Sequence, residues 1–109
     1  MLDVYQVEGI VKQAQAEFRQ NFEKDYPHII EFLTEKIIEQ AKLGETVVIL
    51  PIEKIIIQSK IYIDSKKIIK YLTIKGFYID EYMDHEVIYN GTEKTLNPIP
   101  SIKIRWPRG

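Results

Sequence analysis

The sequence predicts an α+β domain in which two N-terminal helices and a third helix pack on a small, mostly antiparallel sheet with strands at 46–50, 77–83, 86–89 and 101–106. Three observations carry this. Apolar residues recur at helical spacing over most of 3–43. The period changes to two, a strand spacing, after Gly76 and again after Pro100. The change at Gly76 closes the segment 64–80, in which helix start, helix stop and strand signals all agree.

With 109 residues the chain is read as one domain, 1–109, of a size that buries about two-thirds of its unfolded surface. Apolar residues at 45% and charged residues at 28% exclude a disordered chain, and no apolar run reaches the roughly 18 residues of a membrane span. There is no cysteine, which removes disulfides, thiolate metal sites and cysteine nucleophiles together. No export signal is read, so a cytoplasmic protein without a membrane partner is expected. The net charge of -1 combines -4 over residues 1–50 (nine acids, five bases) with +3 over 51–109 (seven acids, ten bases). That asymmetry is too small for the pronounced basic patch of a dedicated nucleic-acid binder.

In the first helix, 3–22, Val4, Val7, Val11, Ala14 and Phe18 follow the a/d spacing of a narrow seam, and Phe22 adds a turn. Glu8, Lys12, Gln13, Gln15, Glu17 and Arg19 surround the seam with polar groups, so the helix has one stripe to bury. The stripe needs a partner, either the next helix of the chain or the same helix of another subunit. Residues 1–24 are therefore a candidate oligomerisation element with Val4, Val7, Val11 and Phe18 as its contacts, and a homo-oligomer is expected.

Asp25, Tyr26 and Pro27 mark a break, because proline suits a first helical turn and not an interior one. Ile30, Leu33, Ile37 and Ala41, widened by Ile29, Phe32 and Ile38, make the next segment the main core helix, with Gly44 as its stop. The β-branched run at 46–50 is a buried strand that Pro51 ends. Over 52–58 the spacing of Ile52, Ile55 and Ile56 after a proline favours a short helix, while three consecutive isoleucines favour an extended chain; the helix is preferred. Ile61 and Ile63 alternate with Lys60 and Tyr62 as a brief extended approach to Asp64.

Asp64 is placed to cap the third helix, which buries Ile68, Ile69 and Leu72 and turns Lys66, Lys70 and Thr73 to another face. Past Gly76, Phe77, Ile79, Glu81 and Met83 alternate with Tyr78, Asp80 and Tyr82. Asp84 and His85 suggest a turn before 86–89, Asn90-Gly91 is a hairpin dipeptide, and 92–100, with Pro98 and Pro100, reads as an ordered loop. Ile102, Ile104 and Trp106 close the chain facing inward, with Lys103 and Arg105 outward.

Asp80, Glu81, Asp84, His85 and Glu86 are the one acidic cluster with a histidine, but strand alternation sends Asp80 and Glu81 to opposite faces and a solvated turn accounts for the rest. No metal, cofactor or catalytic residue is expected: phosphate-loop, dinucleotide and HExxH motifs are absent, and neither His28 nor any serine sits in a nucleophile motif. Asn90-Gly91-Thr92 is read as a turn, not a glycosylation site. Lys60, Lys66, Lys67, Lys70, Lys75, Lys103, Arg105 and Arg108 would make a phosphate-facing surface if folded together, against the plainer reading of a solvated face. Exposed tyrosine with arginine is the chemistry of recognition surfaces, and Tyr62, Tyr78, Tyr82, Tyr89 and Arg105 are the candidate ligand- or partner-binding residues.

Over 37–106 the chain carries an A-x-x-G corner (Ala41 to Gly44), the strand VVIL, the helix KKIIKYL, the corner GFYI and a terminal IKIRW strand. In these motifs it resembles small uncharacterised proteins of tailed phages and prophages of Gram-positive bacteria. The resemblance implies a non-catalytic accessory role in the host cytosol: inhibiting a host or immune-pathway protein, or sequestering a small signalling molecule. The alternative is a winged-helix DNA-binding regulator, with helices 28–43, 52–58 and 64–75, the last as reader, and strands 77–83 and 101–106 flanking a long wing. Its reader would hold lysines but no arginine, asparagine or glutamine for base edges, so specific readout is disfavoured.

Overall fold

The computed structural model describes residues 1–60 and 62–107, with Ser59 by its backbone only. Along the chain run α1 (Val4–Asp25), α2 (Pro27–Lys42), β1 (Val47–Pro51), α3 (Ile52–Ser59), α4 (Ser65–Ile74), β2 (Tyr78–Asn90) and β3 (Glu93–Arg105). The fold is α+β, with an antiparallel three-stranded sheet in the order β1-β3-β2. The described residues form four helices, because 52–58 does form one after Pro51. Of the extended approach expected over Lys60 to Ile63, Ile61 lies outside the described residues, as does Arg108; Lys60 is not extended but closes α3 in the left-handed conformation (φ 58°), and Ile63 is buried.

Helix boundaries follow local chemistry. The Asp3 carboxylate accepts from Gln6 N–H and the Gln6 side chain accepts from Asp3 N–H, a reciprocal capping box that starts α1. Tyr26 alone separates α1 from α2, and Pro27 stands at the first position of α2. At the end of α2, Gly44 N–H donates to Ala41 O and Glu45 N–H to Gln40 O. At the end of α4, Gly76 N–H donates to Thr73 O and Phe77 N–H to Leu72 O. Both are Schellman closures and need the positive φ that Gly44 (81°) and Gly76 (98°) adopt. Asp64 caps α4 by accepting from Lys66 N–H.

The core joins all three helices of the body to one sheet face: Ile29 and Leu33 of α2, Ile55 of α3, Ile68, Tyr71 and Leu72 of α4, Val48 and Leu50 of β1, Ile102 and Ile104 of β3, with Phe22 from α1. Val48 lies opposite Ile104 and Leu50 opposite Ile102, so strand alternation puts these four on one side. Trp106 packs against the edge of the core, its ring meeting Phe77 edge-on at 6.4 Å.

Two expectations for the sheet are corrected. The turn at Asp84 and His85, which separated strands 77–83 and 86–89, does not form, and 92–100 is not a loop: β2 and β3 pair without interruption from Tyr78↔Arg105 to Asn90↔Glu93. The prolines explain how. Trp106 N–H donates to Thr46 O, so the even-numbered backbone nitrogens of β3 face the β1 side. Pro51, opposite Ser101, ends β1, and beyond it that side of β3 pairs with no described strand. Pro98 and Pro100 thus lack their N–H where no acceptor stands, which is where a strand tolerates proline. The hairpin loop is also displaced by one residue from Asn90-Gly91: Asn90 pairs with Glu93 and the loop is Gly91-Thr92. Only Gly91 has positive φ (68°), the pattern of a hairpin turn with glycine first.

The molecule measures 67 × 32 × 28 Å because two segments project from the body. One is the N-terminal half of α1; the other is the β2–β3 hairpin beyond Tyr82 and Ser101, about 27 Å long for its eight or so residues per strand.

Candidate recognition surface

The outer sheet face is set by the register that buries Ile102 and Ile104. Tyr78 lies opposite Arg105, Asp80 opposite Lys103 and Tyr82 opposite Ser101, so strand alternation puts them on the face opposite Ile102 and Ile104, with Ser101 itself buried. Arg105 Nη2 donates to Asp80 Oδ2 at 2.8 Å, and Lys103 Nζ stands 5.7 Å from the centre of the Tyr82 ring. The result is a zipper of side chains in the order Tyr78, Arg105, Asp80, Lys103, Tyr82, two aromatic ends around charged members. Ile49 of β1, opposite Lys103, extends it with exposed apolar surface. Tyr78, Arg105 and Trp106 also line an open hollow of about 340 Å³ with Thr46 and Pro107. Arg105 is half exposed, so its pair with Asp80 orients the guanidinium more than it stabilises the fold.

Of the predicted binding residues, this face unites Tyr78, Tyr82 and Arg105. Tyr89 stands near the hairpin tip at an odd position of β2, on the opposite face, and Tyr62, itself exposed, is in the connection between α3 and α4. The five therefore do not form one site. The basic surface is divided as well. Lys70 Nζ lies 4.3 Å from the centre of the Phe18 ring and Lys75 Nζ 3.9 Å from Glu23, while Lys103 and Arg105 are on the outer sheet face. Lys66 and Lys67 remain exposed on α4 without an ion pair among the described residues. Asp80 and Glu81 do lie on opposite faces, and the described residues contain no group of three acidic or histidine side chains able to hold a metal. No helix among them is long and apolar enough to cross a membrane.

The α1 seam divides too. Phe22 is buried and stacks on Tyr71 of α4 at 4.5 Å and 14°, and the Tyr71 hydroxyl donates to Glu23 Oε1 at 2.8 Å. Burial, then the hydrogen bond and the negative charge of Glu23, push the Tyr71 phenol well above its ordinary value. Phe18 also packs on the core of its own chain, which corrects its assignment as an intermolecular contact. Val4, Val7 and Val11 are 69, 45 and 47% exposed and do not belong to the core that the described residues form.

Sequence reasoning missed a groove of about 620 Å³ between α3 and the hairpin, lined by Ile52, Ile56, Ile57, Ile99, Pro98 and Pro100. Taking 92–100 as a loop concealed it. The available signal was the shared parity of Pro98 and Pro100, which is compatible with a strand open on one edge.

Comparison of the chain with protein-family models, curated proteins and solved structures returned no match.

Proposed function

We propose that this chain is a non-catalytic binding protein that works as a homo-oligomer in the cytosol and recognises its partner on the outer sheet face. The observation that supports this is the Tyr78, Arg105, Asp80, Lys103, Tyr82 zipper. Its two tyrosines have few rotatable bonds and a polar tip, and they are held on paired strands beside an oriented guanidinium, the composition of interface centres. A macromolecular partner fits the extended, open face better than a small molecule, which wants an enclosed pocket. By its resemblance to accessory proteins of phages and prophages, the partner is a host or immune-pathway protein whose activity the binding inhibits. Sequestration of a small signalling ligand is the other form of that role, and the hollow beside Trp106 is where it would act.

The test is affinity capture from a bacterial lysate with mass spectrometry of retained proteins and small molecules, run beside a Tyr78→Ala, Arg105→Ala double variant. A species retained by the parent protein and lost from a variant of unchanged circular dichroism is the expected result. Equal retention by both removes the outer face from consideration.

A winged-helix DNA-binding regulator is the second reading, favoured by element order and by the strand order β1-β3-β2, with α4 as reader and the β2–β3 hairpin as wing. Charge weighs against it. Between 82 and 100 the hairpin carries Asp84, Glu86 and Glu93 against Lys94 alone, so the wing would approach phosphates with negative charge. Salt-titrated binding to duplex DNA decides: affinity that falls steeply with salt and is lost in Lys66→Glu, Lys67→Glu supports this reading, and no binding at low ionic strength eliminates it.

A further inference from the structure

We propose that the free half of α1 pairs with the same segment of a second copy in antiparallel orientation, Val4 of each chain facing Ala14 of the other and Val7 facing Val11. The inference rests on reading α1 as the self-association element and adds orientation and register to it.

Val4, Val7, Val11 and Ala14 lie on one helical face with Phe18 and Phe22. The first four are exposed, whereas Phe18 and Phe22 pack on the chain's own core. A groove runs along the exposed part, lined by Leu2, Val4, Val7 and Val11 with flanking polar residues, all of them from α1 itself or its cap. Helix on one side of that groove and open space on the other is half of a two-helix seam.

The body decides the orientation. A parallel partner in register would run along the whole seam and reach the level of Phe18 and Phe22, where Tyr71 and Lys70 already stand. An antiparallel partner centred at the level of Gly9 runs the other way. Its helix starts at the capped Val4, opposite Ala14, and stops short of Phe18. The free stripe and the partner helix therefore have matching lengths, about 15 Å from residue 4 to residue 14.

Charge agrees. Glu8 and Lys12 flank the same side of the stripe. Antiparallel pairing sets Glu8 of one copy between Glu8 and Lys12 of the other, so that a lysine offsets the like charge each Glu8 meets. Parallel pairing sets Asp3 of each copy toward Glu8 of the other, a repulsion. On the opposite flank, Ile10, which is exposed, meets its own symmetry mate near the axis and adds apolar area. A contact of about three turns is smaller than a standard stable interface, so the dimer is expected to dissociate on dilution.

The absence of cysteine makes the test direct. Val4→Cys and Ala14→Cys are prepared as separate full-length variants at exposed positions and oxidised mildly, alone and mixed, while sedimentation of the parent protein is followed over concentration. The expected result is a monomer–dimer equilibrium and a mixed disulfide formed severalfold more readily than either homodisulfide. In addition, Lys12→Glu should weaken the dimer and the charge exchange Glu8→Lys, Lys12→Glu should restore it. Efficient cross-linking of Val4→Cys to itself overturns the orientation while leaving self-association standing. A concentration-independent monomer with no cross-link in any combination overturns both.

Discussion

The body of the protein and its two projecting segments obey the same sequence periodicities with opposite outcomes. In the body, residues at helical or strand spacing are covered: Ile29, Ile55, Ile68, Ile102 and Ile104 are fully buried, from four different elements. In the projections the same kinds of residue at the same spacing are exposed, Val4, Val7 and Val11 on α1 and Met83, Val87, Tyr89 and Leu96 on the hairpin. Periodicity thus reports that a face is meant to be covered, and not by what. The amphipathic pattern is local, whereas burial depends on whether another element arrives over the face.

That comparison can be broken most forcefully in the core. Ile68→Ala should cost roughly 2–5 kcal/mol of unfolding free energy by loss of burial and creation of a cavity, measured by urea denaturation. Val7→Ala in the dilute monomer should cost less than about 0.5 kcal/mol, the ordinary range for a surface change. Equal costs would mean that the α1 stripe is covered by its own chain, and the contrast between body and projection would be lost.

Gly76→Ala probes a backbone requirement instead of packing. Nothing stands within 4 Å of an added Cβ, so the whole effect comes from a φ of 98° in an L-residue, about 1 kcal/mol. A thermal melt detects it, and an unchanged midpoint would show that the α4 closure can relax without glycine.

The joint between α1 and the body is sharpened by Tyr71. Its phenol is neutral in the native state because burial and Glu23 raise its pKa above the unfolded value near 10. A raised folded value favours the protonated form, so the stabilisation is complete below about pH 10 and is lost as pH rises past it. Tyr71→Phe should cost about 0.5–1.5 kcal/mol at neutral pH for the hydrogen bond to Glu23. It should also lose less stability than the parent between pH 8 and 11, measured by denaturant midpoints at each pH; parallel losses would place the alkaline sensitivity elsewhere.

An effect as small as that of Val7→Ala is expected on the outer face. Asp80→Ala should change stability by no more than about 0.5 kcal/mol, since both partners of its pair with Arg105 are about half exposed and screened by salt. A larger loss would show that the zipper holds the sheet together and is not presented for recognition.

The comparison also shows what could be read from residues in order. Caps and stops were legible, Asp64 and Gly76 around α4 and Pro27 and Gly44 around α2, because each acts on backbone groups within five residues of itself. The outer face was legible in part: alternation places Tyr78, Tyr82 and Arg105 on one side once the register is known, but alternation says nothing of Tyr62 and Tyr89 joining them. Asp84, His85, Pro98 and Pro100 misled, since turn-forming residues also occur in a hairpin with an open edge.

By itself the sequence determined α1, α2 and α4, the caps and stops of α2 and α4, the inward set of the core strands and the presence of a seam on α1. Only the tertiary structure decided that β3 stands between β1 and β2, that the hairpin is continuous past both prolines, and that Phe18 belongs to the body while Val4, Val7 and Val11 do not. The division has one physical cause. Propensity, capping and periodicity act over a few residues, whereas strand order, edge occupancy and the point at which a seam passes from one partner to the next depend on residues distant in the chain meeting in space.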